Sequence, residues 1–289
     1  MIFSIRSGLL KVMIELQEKI ERLTNLNPLD YPEDSIDTFL EFRDLLGKGK
    51  IRSAEYIEGE WKVNIWVKKG ILLGFNLGKI VDYSENKSFR YFDKDTYPLK
   101  NLSIDDGIRI VPGGTSIREG AYVAKGVVIM PPAYVNVGAY VDEDTMIDSH
   151  ALVGSCAQIG KNVHISAGTQ IGGVLEPVRS LPVIIEDHVI LGGNSGVYEG
   201  TIVHSGAVIA AGTVLTSATR IYDLVNERVI SPNDQGIIEL PKDAVVVPGV
   251  RKKDGKFAEK HNISIYSPII VKYRDEKTKS STNLEEILR

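Results

Sequence analysis

The chain has 289 residues, 43% of them hydrophobic, and a formal net charge of −4 at pH 7. That balance is ordinary for a globular chain and gives no global positive field to attract nucleic acid or anionic lipid. The one cysteine, Cys156, excludes an internal disulfide and a structural zinc site built from cysteines, and no apolar run approaches the roughly 18 residues of a membrane span.

Residues 1–105 read as an N-terminal α/β domain. Leu9, Leu10, Met13, Ile14, Leu16, Ile20 and Leu23 have helical spacing, and the run ends near 25–28. Arg6 and Lys11 interrupt it and no small-residue cleavage site follows, so it reads as an amphipathic helix rather than a signal peptide, and the expected compartment is the cytoplasm. A second helix is expected over 35–46, stopped by Gly47 and Gly49. Segments 51–57, 61–67 and 71–75 then read as strands, with Glu58 and Gly59 as a hairpin turn.

Residues 106–222 follow a different rule. An aliphatic residue returns every six positions from Val111 through Ile117, Val123 and onward to Ile171, and the beat resumes from Ile185 to Ile221. Four residues after most of these stands something small or β-branched, such as Thr115, Ala121, Ala133 and Ala151. A six-residue period is the mark of a parallel β-helix. Each hexad supplies a short strand and a corner, three hexads close a triangular coil, and the run amounts to about six coils. The aliphatic residue and the small one face inward, because side chains alternate along a strand. Glycines such as Gly120, Gly138, Gly154 and Gly172 suit the tight corners. Such repeats resemble the left-handed β-helix of the hexapeptide acyltransferases, and the hand is implied by that resemblance alone.

From Ile171 to Ile185 is fourteen residues, two more than two hexads. The extra length predicts a loop pushed out of the coil, a common place for function on a rigid scaffold. Residues 223–289 read as a C-terminal segment with strands over 244–250 and 263–273 and a mobile polar stretch at 278–282.

The stretches MIDSHALVGSCAQIGKNVHIS (146–166), IGGVLEP (171–177) and VIIED (183–187) resemble the tetrahydrodipicolinate N-succinyltransferase family. IRSAEYIEGEWKVNIWVKKGILLGF (51–75), RYFDK (90–94), IRIVPGG (108–114), MPPAYVNVGAYVDEDTMID (130–148) and TRIYD (219–223) agree with it. The resemblance spans roughly 45–275. It implies a mainly β, left-handed parallel β-helix enzyme of the succinylase branch of lysine and diaminopimelate synthesis. No permanently bound cofactor is implied. Succinyl-CoA is the expected co-substrate, the acceptor the amine of acyclic L-2-amino-6-oxopimelate, and the assembly a homotrimer with sites between neighbouring prisms.

By the same resemblance Asp148 matches the active-site aspartate, expected to hold and deprotonate the attacking amine. Arg109 matches a substrate-binding arginine, a residue type whose planar fork suits carboxylates. Arg220 is a candidate second clamp, and backbone N–H groups at Gly172 and Gly173 are candidates to polarise the thioester carbonyl. Two positions depart from the best-known members: Gly196 stands where they carry an acid, leaving Glu199 as the candidate substitute, and His150 stands where they carry a tryptophan.

Competing readings remain at this stage. Asp148 also reads as a solvated corner, Arg109 as a brace of the first coil and Arg220 as a cap of the last. The cluster Arg251, Lys252, Lys253, Lys256 and Lys260 reads equally as a contact for CoA phosphates or as a solvated basic turn. Cys156 reads as packing, since no histidine is placed to activate it. His150, His164, His188 and His204 share no register, so no metal is expected. The rival functions are an N-acetyltransferase on the same amine, a non-catalytic scaffold and, more distantly, a zinc hydratase.

Overall fold

A computed structural model describes residues 2–274 of the chain. The expected mobile stretch at 278–282 lies outside the described residues.

Three helices and a hairpin begin the chain: α1 (Ile2–Leu23), α2 (Ser35–Gly47), β1 (Ala54–Ile57), β2 (Glu60–Val63) and α3 (Ile65–Leu77). α1 buries Leu16, Ile20 and Leu23, four and then three residues apart, so one stripe faces the core. The β1–β2 turn falls on Glu58 and Gly59, both with positive φ as a two-residue hairpin requires.

The strand expected at 71–75, and the second half of the one at 61–67, are instead α3. Val67, Gly70, Ile71 and Gly74 are buried at three- and four-residue intervals, a helical beat that the surrounding apolar residues hide. Gly70 and Gly74 look like helix breakers. Here they make room for aromatic rings: a Cβ on Gly70 would come within 2.6 Å of the Phe42 ring, and one on Gly74 would meet Phe39 and the Tyr97 hydroxyl.

The hexads fold as read, into a prism of three parallel sheets. The first face stacks Arg109–Ile110, Val128–Ile129, Met146–Ile147, His164–Ile165, Ile190–Leu191, Val208–Ile209 and Ala244–Val247. The second stacks Ser116–Ile117, Tyr134–Val135, Leu152–Val153, Gln170–Ile171, Gly196–Val197 and Val214–Leu215. The third runs from Tyr122–Val123 through Tyr140–Val141, Gln158–Ile159, Ile184–Ile185 and Thr201–Val203 to Ile238–Leu240. From Ile117 to Leu215 the aliphatic residues of the beat line one continuous buried core. Three residues past most of them the backbone has positive φ, at Asp144, His150, Asn162, His188 and Asn194 or at glycine. These are the residue types that tolerate that conformation, and one per corner is what turns each strand onto the next face.

The beat and the coils part company at the C-terminal end. Ile221 keeps the six-residue spacing and is buried in the core, yet its strand, Ile221–Asp223, does not continue the third face. It pairs with Arg228–Ile230 and Ile269–Tyr273, and the third face is continued by Ile238–Leu240. These extra strands lengthen the first face to ten while the other two stop at six. The outermost strand of the second face ends against Tyr266, whose Oη accepts from the Val214 N–H (2.6 Å) and donates to the Val214 carbonyl (3.2 Å). The strands expected at 244–250 and 263–273 each divide in two: Ala244–Val247 and Val250–Lys252, then Ser264–Tyr266 and Ile269–Tyr273.

The N-terminal unit docks on the third face. Tyr122 and Tyr140 stack there at 4.7 Å, Arg52 lies 3.6 Å over the Tyr140 ring, and Cys156 packs among the helices. Burial pushes the Cys156 thiol up to about 12, in keeping with a packing role.

Candidate active site

The residue after each inward aliphatic points out of the prism. Asp148, Gly172, Tyr198 and His204 all hold that position, on three different edges. Asp148 stands on the edge between the first and second faces, half-buried, with Oδ1 accepting from the Ser149 N–H at 2.8 Å. Its other oxygen has no hydrogen-bond partner among the described residues. The chain runs on from Asp148 into Leu152–Val153, the strand bonded directly beneath Gln170–Ile171, after which come Gly172 and Gly173. Those two glycines, with Glu199 one coil above, lie on the edge between the second and third faces. One chain therefore holds its aspartate and its glycine pair on different edges, separated by a face width on the order of 15 Å at about 3.3 Å per residue.

The glycine pair divides its work. Gly172 donates its N–H to the Val197 carbonyl at 2.8 Å and is spent on the coil. Gly173 is exposed, and its N–H has no partner among the described residues, so of the two it is the one that can donate to an acyl oxygen. A Cβ on Gly154 in the coil below would meet the Gly173 N–H, so this stretch of chain lies directly on the corner beneath.

The fourteen-residue step leaves the coil as expected. Val174 stays in the prism core and Leu175 packs against the helices. Lys68 of α3, with 0% exposure, donates to the carbonyls of Ser180 (2.8 Å) and Pro177 (3.2 Å). Its ammonium is pulled below the usual lysine range by burial. The clamped loop walls a cleft of about 890 Å³, lined among others by Gly173, Glu176, Arg179, Glu199 and Gly236.

Arg109 is exposed on the first strand of the first face, two strands below Met146–Ile147 and so on the order of 10 Å from the level of Asp148. Arg220 is exposed at the opposite end of the prism, before a strand six positions from Met146–Ile147 in the sheet. One chain does not bring it to Asp148. Arg251, Lys252, Lys253, Lys256 and Lys260 sit on the hairpin Val250–Lys252 with Ser264–Tyr266 and on the short helix Lys256–Lys260 between its strands. No group of three or more His, Cys, Asp or Glu side chains among the described residues is placed to hold a metal ion.

A second polar cluster, unread in the sequence, sits on the remaining edge. His204 lies between Glu186 (Nδ1 to Oε1, 3.2 Å) and Glu239 (Nε2 to Oε2, 2.8 Å). Glu186 also accepts from Trp61 Nε1 of β2 at 3.1 Å and from the N–H and hydroxyl of Ser205 at 3.0 Å each. The hydrogen bond to Glu186, aided by Glu239 and opposed by burial, raises the imidazole to about 9. Burial alone would raise the Glu186 carboxyl, but the hydrogen bonds from His204, Trp61 and Ser205 bring it down to about 2. The cluster ties the N-terminal hairpin to the prism.

A prism built from hexapeptide repeats is the fold of the hexapeptide-repeat acyltransferases. Residues 14–77 match the family described as "Tetrahydrodipicolinate N-succinyltransferase N-terminal", and 182–217 match "Hexapeptide repeat of succinyl-transferase". Three curated relatives carry the name 2,3,4,5-tetrahydropyridine-2,6-dicarboxylate N-succinyltransferase. That of Thioalkalivibrio sulfidiphilus is 42% identical over 96% of this chain and 99% of its own length. That of Alteromonas mediterranea is 42% identical over 97% and 98%, and that of Psychrobacter sp. 39% over 95% and 97%. The chain belongs to the tetrahydrodipicolinate N-succinyltransferase family and is an acyltransferase.

Proposed function

We propose that the protein transfers the succinyl group of succinyl-CoA to the amine of L-2-amino-6-oxopimelate. The observation that carries this reading is likeness along the whole chain, 42% identity covering 99% of a relative so named. The amine nitrogen attacks the thioester carbonyl, Asp148 takes the proton the amine gives up, the Gly173 N–H meets the oxyanion, and the C–S bond breaks to release CoA as a thiol. Arg109 holds a carboxylate of the acceptor. The two-edge separation of Asp148 and Gly173 supports a ring in which the Asp148 edge of one chain meets the Gly173 edge of the next. A cyclic interface joins unlike surfaces in just this way, and three chains close such a ring. The acyl donor is a coenzyme A thioester, and its pantetheine arm fits the cleft beside the clamped loop.

The test is thiol release with 2-aminopimelate as the amine. Succinyl-CoA is expected to outperform acetyl-CoA by roughly tenfold or more in kcat/KM, as a second carboxylate contact implies. Preference for acetyl-CoA would make the protein an N-acetyltransferase on the same amine. Release from neither donor would leave the prism a scaffold.

A further inference from the structure

We infer that Tyr198 binds substrate, its hydroxyl donating a hydrogen bond to a carboxylate held on the second face, and that Gly172 and Gly196 are the bare positions that let its ring lie there. The inference rests on the acyl-transfer reading above.

Going up the second face, the outward positions of successive strands are Ser116, Tyr134, Leu152, Gln170, Gly196 and Val214. Gly196 is the gap in this ladder of side chains. Tyr198 follows two residues later, so it leaves the backbone on the same side. Its ring folds back along the strand. A Cβ on Gly196 would come 2.6 Å from Tyr198 Cε2 and 3.2 Å from both Cζ and Oη. A Cβ on Gly172, in the coil below, would come 3.0 Å from Cδ1. The ring thus spans two glycine backbones, and any side chain at either position would push against it.

The ring runs from the edge that carries Gly173 back toward the edge that carries Asp148. Its hydroxyl is delivered onto the face between those edges. The side chain is half-buried, and Oη has no hydrogen-bond partner among the described residues. A half-buried phenol left open is a donor awaiting an acceptor. Both partners in the proposed reaction bring carboxylates, the free end of the succinyl group and the two ends of the acceptor. A hydroxyl facing a carboxylate makes a short, charge-assisted bond.

Tyr198→Phe removes one oxygen and keeps the ring. Its KM for succinyl-CoA or for 2-aminopimelate is expected to rise roughly tenfold, with kcat within about threefold of wild type. If the carboxylate is the succinyl one, turnover of acetyl-CoA is unchanged. If it belongs to the acceptor, the rise appears with either donor. Gly196→Ala, which displaces the ring, is expected to reproduce the rise, and the double variant to be no worse than either single one. Both KM values within twofold of wild type in Tyr198→Phe, or a loss confined to kcat, overturn the inference while leaving the reaction in place. A wild type inert toward every acyl-CoA removes the reaction and this inference together.

Discussion

Among single residues, the proposed transfer depends most on Asp148. Asp148 follows an inward isoleucine, so the sequence already turned it outward, and it stands half-buried on an edge. As the base for a mostly protonated amine it is expected to be indispensable. Asp148→Asn should preserve the fold and lower kcat by roughly 100-fold or more, and near-wild-type turnover would sink the assignment. Glu199, exposed and one coil above the glycine pair, shares the cleft with Gly173 but not the edge with Asp148. Glu199→Gln is therefore expected to cost less than Asp148→Asn, by about 1 kcal/mol or more in transition-state stabilisation, and equal losses in kcat/KM would reverse that order. Arg109→Lys keeps the charge and loses the fork, so KM for the dicarboxylate should rise while KM for the acyl-CoA stays put. The engagement of Gly172 with Val197, and the Tyr198 ring lying on a glycine 26 residues earlier, depend on which coil stacks on which. No local pattern announces either.

At the scale of elements, the prism was legible because its rule is local: one period fixes strand, corner and facing together. α3 was not. Its lysine pair and Gly70 split an apolar run into two apparent strands, and the rings of Phe39 and Phe42 from α2, with Tyr97, explain why glycines sit in a helix. Lys68 escaped for a related reason, since its acceptors lie 109 and 112 residues away. Lys68→Met keeps the stem and removes three donors, freeing the loop from α3 and leaving the Pro177 and Ser180 carbonyls without that partner. The expected result is a raised KM for acyl-CoA, partly restored in Lys68→Arg. An unchanged KM would separate the loop from the donor site. The cluster of His204 with Glu186 and Glu239 carries a pH signature of its own. A group raised from 6.5 to about 9 stabilises fully below pH 6.5, and that contribution fades as pH climbs through 9. Glu186, lowered from 4.5 to about 2, contributes above pH 4.5 and fails as pH drops through 2. Tm should be highest between about 4.5 and 6.5 as far as this cluster is concerned, with an alkaline decline that His204→Gln flattens. Equal alkaline slopes in the two proteins would assign the decline to other groups.

At the scale of the molecule, the proposed transfer needs Asp148 and Gly173 together, and one chain holds them on different edges, so the proposal calls for a neighbouring chain. Light scattering is expected to return three times the 31.8 kDa of one chain, and a monomer at micromolar concentration would remove the shared site. The sequence suggested a trimer by resemblance. The two edges give that suggestion a geometric reason it lacked before. The sequence offered Arg220 both as a carboxylate clamp and as a cap of the last coil, and the six-residue beat, which runs on through Ile221 after the coils have ended, could not choose between them.

A stack of coils has two open ends, and each end is a row of unpaired backbone groups ready to accept another stack. Proteins that leave such rows bare tend to grow into fibres. Here the C-terminal strands act as a stopper. The first face is carried past the other two and closed with antiparallel strands, which offer the wrong direction to an incoming parallel coil. On the second face the last strand has both groups of Val214 taken by one phenol, that of Tyr266. A chain cut after Leu215 would lose Ile238–Leu240 and Ala244–Val247, which continue the third and first faces, together with that stopper. The coil edges bared in this way are expected to associate end to end, which a rise in scattering mass would show, so the strands from 221 to 273 are the part of the chain that closes this end of the prism.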